Sequence, residues 1–112
     1  MAYVHLSDAK FTEILPNRFR YLAHTERLMM VVIDFNDGPH LQPDPPHAHP
    51  HEQVTYVVEG EMYFYMDGVP TRVKAGDIIT IPGNVPHCVQ LITPHVRAVD
   101  VFTPIREDFL PK

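Results

Sequence analysis

Four residues of this chain have the types and spacing to hold a metal ion: His47, His49, Gln53 and His87. Imidazole nitrogen suits zinc, copper, iron and nickel, and an amide oxygen adds a harder, neutral donor. Because none of the four is charged, a divalent ion among them keeps its full double charge. That weakens metal affinity but strengthens the pull on an anionic substrate and the polarisation of its oxygens. In an extended strand, positions i and i+2 project to the same side. His47 and His49 can therefore grip one ion from one side of a sheet, with a neighbouring strand supplying Gln53 and a third supplying His87. Four such ligands describe an ion held inside a β-barrel, with positions left for water or substrate as in a working site rather than a closed structural one.

The other histidines lack that spacing. His5, His24, His40 and His95 are expected on the surface or against backbone groups. His51 shares the parity of His49 but follows Pro50, where the chain bends, so it belongs at the edge of the site or on the surface. The single cysteine, Cys88, has no partner for an internal disulfide and, as the neighbour of His87, should face away from the ion.

The elements that must position these residues read as strands. Twelve prolines, against an average frequency near 5%, argue against a helical fold. Between them lie short β-branched and aromatic runs: Leu28 to Phe35, Val54 to Val58, Met62 to Met66, Ile78 to Ile81, Cys88 to Ile92 and Val96 to Phe102. Turn signals such as Asn36-Asp37-Gly38-Pro39, Asp67-Gly68 and Pro82-Gly83-Asn84 separate them. Residues 8–15 carry the signal of a short helical turn. The expectation is an all-β sandwich or barrel. Leu28-Met29-Met30-Val31-Val32-Ile33 has no polar alternation, so both faces of that strand should be covered. A second copy of the chain does this most easily, which makes a homodimer the expected assembly.

Length and charge narrow the function classes. At 112 residues the chain is one domain, and a net charge of −5 without a basic run gives no support to nucleic-acid binding. No apolar run approaches the roughly 20 residues that span a bilayer. The N-terminus lacks the basic-then-apolar pattern of a secretory signal, so a cytoplasmic protein is expected.

A second constellation lies near the C-terminus, where Asp100 and Phe102 share a strand face and Pro104 lets the chain fold back toward Arg106. If that face points inward, a carboxylate lies in an apolar barrel near the ion. If it points outward, Asp100 and Arg106 form an ordinary ion pair closing the C-terminus. The residues alone leave both open.

Pro46-His47-Ala48-His49-Pro50-His51-Glu52-Gln53, leading to Tyr56-Val57-Val58-Glu59-Gly60-Glu61, resembles the first motif of the cupins. Gly76-Asp77 through Ile81-Pro82 to Pro86-His87 resembles the second. Gln53 replaces a commoner Glu, Asn84 stands where Gly is frequent, and Leu91 stands where Asn is often found. Asn tolerates positive φ, so Asn84 is a mild departure. The resemblance implies a jelly-roll-like double-stranded β-barrel of about residues 28–103 within a single domain, 1–112. The terminal segments would pack on that barrel or on a partner subunit.

The run from Asp100 to Leu110, together with the histidine stretch and Leu28-Met29-Met30, is similar to the small pectin-degradation cupins. Members of that family convert 4,5-unsaturated uronate monomers into the linear 5-keto-4-deoxyuronate. The resemblance implies His47, His49, Gln53 and His87 as metal ligands for a divalent ion (Ni, Zn, Fe or Mn). It also implies Asp100 as acid/base, Phe102 as a substrate-packing ring, Arg106 as a substrate-binding cation, and a small anionic sugar acid as substrate. Arg20 and Arg72 offer a second cation, with solvation the expected fate of each. The same scaffold and ligand set also suit a metal-dependent dioxygenase, or a non-catalytic sugar- or metal-binding module.

Overall fold

Two antiparallel sheets, one of six strands and one of three, enclose the interior of this chain. The computed structural model describes residues 3–110. Its strands are β1 (Lys10–Leu15), β2 (Arg18–His24), β3 (Met29–Phe35), β4 (Glu52–Glu59), β5 (Glu61–Met66), β6 (Val69–Lys74), β7 (Ile78–Ile81), β8 (His87–Leu91) and β9 (Val96–Thr103). The large sheet runs β1-β2-β3-β9-β4-β7 and the small one β6-β5-β8. Short 3-10 turns cover Leu6–Asp8 and Glu107–Phe109. No helix among the described residues is long and apolar enough to cross a membrane.

Alternation decides what each strand offers the interior. On β4, Gln53, Thr55 and Val57 are buried while Glu52, Val54, Tyr56 and Val58 are exposed. Val57, Ile79, Ile81, Val96, Ala98 and Phe35 from the large sheet meet Met62, Phe64, Val73 and Leu91 from the small one in a single apolar cluster. A second cluster, Leu22, Met29, Val31 and Phe102, receives Ile105, Phe109 and Leu110 from the C-terminal segment. Ile33 packs against both clusters. Between them opens a cavity of about 440 Å³, walled by residues of both sheets.

The six strands expected from the sequence are present. Residues 8–15 are a correction: instead of a helical turn, they end the first 3-10 turn and form β1. Asn17, at φ 64, turns the chain so that β1 pairs with β2 as a hairpin on the edge of the large sheet. Ladder pairing overrides the weak local preference. The N-terminal segment thus extends the sheet beyond the expected barrel.

Two turns demand particular residues. Gly60 joins β4 to β5 at φ 86, and a Cβ there would lie 2.2 Å from the His95 carbonyl oxygen. Asn84 takes φ 68, as its amide side chain permits. Its backbone N–H then donates to the His49 carbonyl at 2.7 Å, tying the turn before β8 to the histidine segment.

Candidate metal centre

His47, His49 and His87 converge at one end of the cavity, each offering a ring nitrogen, with these atoms all within 4.8 Å of one another. Ring centroids are 4.3 Å apart for His47 and His87, 4.9 Å for His49 and His87, and 5.8 Å for His47 and His49. The elements differ from the expected ones. His47 and His49 lie on an extended but irregular segment before β4, and Gln53 follows them on β4 itself rather than on a neighbour. The cause is Pro43, Pro45, Pro46 and Pro50, which have no N–H to give to a ladder. An antiparallel bridge ties the segment to β8: His47 N–H donates to the His87 carbonyl at 3.0 Å, His87 N–H returns the bond at 2.9 Å, and Asp44 N–H adds a bond to the Val89 carbonyl at 2.9 Å.

Backbone carbonyls set the orientation of two rings. His49 Nδ1 meets the His51 carbonyl at 3.1 Å, and His87 Nδ1 meets the Val85 carbonyl at 2.8 Å. With Nδ1 carrying the proton, Nε2 keeps its lone pair. Both Nε2 atoms are buried without any hydrogen-bond partner. Burial, followed by the charges of His87 and His49, pushes His47 down to about 4. Burial, then Arg106 and His87, lowers His49 as well. Three imidazoles converging at one point, two of them with buried, unpartnered Nε2 atoms, form a donor set that fits a divalent cation. Phe64 stacks on His87 with its centroid 6.0 Å away and an interplanar angle of 12°, closing one side.

Gln53 lines the same cavity. Its Nε2 donates to Thr55 Oγ1 at 2.9 Å, and Thr55 Oγ1 donates to Asp100 Oδ1 at 2.6 Å. This chain assigns the Gln53 amide nitrogen to Thr55 and leaves the oxygen as the atom an ion can use. Asp100 therefore faces inward, and it makes no ion pair with Arg106. Burial pushes its carboxyl up to about 6, opposed by the hydrogen bonds from Thr55 and Gln53 and by the charge of Arg106.

The C-terminal segment folds over the cavity as Pro104 ends β9. Arg106 donates to both carboxylate oxygens of Asp108, at 3.2 and 2.8 Å. Its guanidinium lies 4.1 Å from the Phe109 centroid and 5.9 Å from that of Phe102. Phe102 is buried in the wall and meets Phe109 edge-on at 6.0 Å.

The family described as "Cupin domain" matches residues 38–102. The chain belongs to the cupin family. This cupin is 30% identical over 92 residues, covering 81% of each chain, to the pectin degradation protein KdgF of Dickeya dadantii. Among solved structures it is similar to an RmlC-like cupin from Shewanella frigidimarina, with a TM-score of 0.86 and 33% identity over 98% of this chain and 96% of that one. It is equally similar to KdgF from Halomonas sp., with a TM-score of 0.86 and 28% identity over 98% and 99%.

Several residues of this cupin's cavity carry no spacing signal. Thr55 is an inward position on an alternating strand, and only the register opposite Asp100 gives it a role. Phe64 and Phe109 look like ordinary core aromatics. Arg20 lines the cavity instead of facing solvent, whereas Arg72 is exposed and bonded to Glu61. His51 stands at the edge of the site, its ring 5.4 Å from His49 and 6.5 Å from Phe102. His24, His40 and His95 bond elsewhere.

Proposed function

We propose that this cupin opens the ring of cyclic 4,5-unsaturated uronate monomers, giving linear 5-keto-4-deoxyuronate, with a divalent ion held by His47, His49, Gln53 and His87. The observation that carries this reading is the Asp100 carboxyl, hydrogen-bonded by Thr55 at 2.6 Å in the wall of the cavity that His47 and His87 also line, where burial pushes it up to about 6. Its similarity to KdgF points the same way.

The reaction is an isomerisation without redox change. The anomeric hydroxyl gives up its proton, the C1–O bond to the ring oxygen breaks, and an aldehyde forms at C1. The enol ether oxygen becomes the ketone at C5 as C4 gains a proton. Asp100 moves that proton; a carboxyl that burial pushes up to about 6 is available in both forms near neutral pH. The Thr55 hydroxyl holds the carboxyl in one orientation. Phe102 and Phe64 exclude water from the walls. A bound divalent ion supplies polarisation of substrate oxygens and stabilises developing oxyanion charge. The cavity of about 440 Å³ is ample for one sugar acid.

The test is an assay with an unsaturated uronate monomer, with and without chelator. Loss of the conjugated double-bond absorbance is followed, and the product is identified by NMR. Chelator-sensitive formation of the keto acid is expected. Oxygen consumption by the metal-loaded protein without loss of that double bond would overturn the reading in favour of an oxygenase.

A further inference from the structure

Arg18 and Arg20 share one strand, one face and opposite circumstances. Arg18 is buried and fully matched: it bonds Asp44 at 2.7 Å and Asp37 at 2.8 and 3.4 Å. Those two carboxylates raise its pKa against the cost of burial. Arg20, two residues on, turns into the metal cavity and has no carboxylate partner among the described residues. Its Nε is buried without a hydrogen-bond acceptor. Its guanidinium lies 3.7 Å from the Phe109 centroid, and Arg106 stacks on the same ring at 4.1 Å. Two cations thus share one aromatic ring at the wall of the cavity. Asp108 holds Arg106 with two hydrogen bonds. Burial, and then the charge of Arg106, lowers the pKa of Arg20.

A half-buried guanidinium whose Nε is shut off from solvent with its donor unfilled carries a cost that an anion's acceptors remove. Nothing among the described residues does so for Nε, and Arg20 lines the cavity. The geometry points to Arg20, stacked on Phe109 beside Arg106, as the subsite that binds the carboxylate of an acidic ligand. This rests on the uronate reading for the ligand class, and it assigns the recognition of the acid to a residue apart from the metal cluster. A planar guanidinium held by ring stacking presents its fork to a carboxylate with little left to order. Arg106, already engaged by Asp108, adds positive potential beside it.

The experiment measures binding of two unreactive probes, D-galacturonate and its neutral counterpart D-galactose, to the metal-loaded protein by calorimetry. Wild type should prefer the acid by at least tenfold. Arg20→Gln should reduce that preference to less than threefold while leaving metal content unchanged. It should also melt no lower than wild type, because a half-buried cation with an unfilled donor has been removed. Arg20→Lys, which keeps a cation but not the fork, should fall between. Retained preference for the acid in Arg20→Gln, or a lowered melting temperature in both variants, would overturn the assignment and make Arg20 a structural support for Phe109. Turnover of an unsaturated uronate separates the two readings. Arg20-dependent binding without turnover removes only the ring-opening reaction. Turnover with an unchanged KM in Arg20→Gln removes only the subsite.

Discussion

Thr55 donates its hydroxyl hydrogen to Asp100 at 2.6 Å from the position directly opposite on the neighbouring strand. The same oxygen accepts the Gln53 amide, so one hydroxyl joins the proposed metal ligand to the proposed acid/base. Thr55→Val keeps the shape and removes the link. A hydrogen bond to a charged group is worth about 1.5–3 kcal/mol, so kcat/KM should fall at least tenfold and metal affinity should weaken. Thr55→Ser should restore both. Steady-state kinetics with metal analysis checks this, and an unchanged kcat/KM in Thr55→Val would dismiss the link as decorative.

Asp100→Asn should cut turnover at least tenfold and leave metal content intact. It also has a consequence for stability. Burial raises the Asp100 carboxyl from 3.8 to about 6, so the fold prefers the neutral form. The contribution of this group is complete below about pH 4 and is lost as pH rises through 6. That loss amounts to roughly 3 kcal/mol in the metal-free protein. Asn stays neutral throughout. Urea unfolding should therefore show the metal-free variant gaining on wild type between pH 4 and 7, and parallel curves would refute the buried carboxylate.

Gln53→Glu exchanges a neutral donor for an anion. The variant should hold its metal more tightly, because the ligand set now carries a negative charge. It should bind an anionic substrate more weakly, visible as a raised KM. His49→Ala, by contrast, should lose metal and activity together. Equal metal affinity in Gln53→Glu and wild type would mean that residue 53 does not reach the ion.

The outer face of the large sheet makes a separate prediction. Met30, Val101 and Val54 form one row across three strands, and Tyr21, Val32, Val99, Tyr56 and Ile78 form the next across five. Ile78 is 68% exposed and Met30 50%. The two rows make an apolar band about 20 Å wide, the centre of a self-complementary contact whose rim supplies the rest of an isologous dimer's area. Its neighbouring charges, Asp34 and Arg97, already bond each other at 2.6 and 2.8 Å, so two copies can meet there without like-charge repulsion. Sedimentation should show a dimer that Tyr56→Lys with Val99→Lys converts to folded monomer. A monomeric wild type at micromolar concentration would remove this assembly.

The sequence was most informative where chemistry and turn geometry coincide. His87 lies far downstream of the closely spaced His47 and His49, yet residue type and spacing marked the three as one group. β3, β4, β5, β7, β8 and β9 were legible as β-branched and aromatic runs between turns. β2 and β6 were not: Arg18-Phe19-Arg20-Tyr21 mixes charge with aromatics, and Pro70 interrupts a strand that survives because it lies at the edge of the small sheet. For a related reason Thr55 carries no signal, and Arg20 reads only as a candidate second cation expected to be solvated. Each takes its role from a neighbour across a ladder or a cavity, and no linear spacing records that.

The paired backbone hydrogen bonds between His47 and His87 have a mechanical consequence. They fasten an otherwise irregular, proline-rich segment to the first residue of β8, at the point where two imidazoles meet. An ion gripped by both rings works as a reversible staple across a loop of about forty residues, and a cross-link of that span removes roughly 4 kcal/mol of chain entropy from the unfolded state. Loading the ion and latching the mouth of the barrel are then a single equilibrium. Hydrogen exchange at residues 43–51 reports the latch, and the metal concentration sets it.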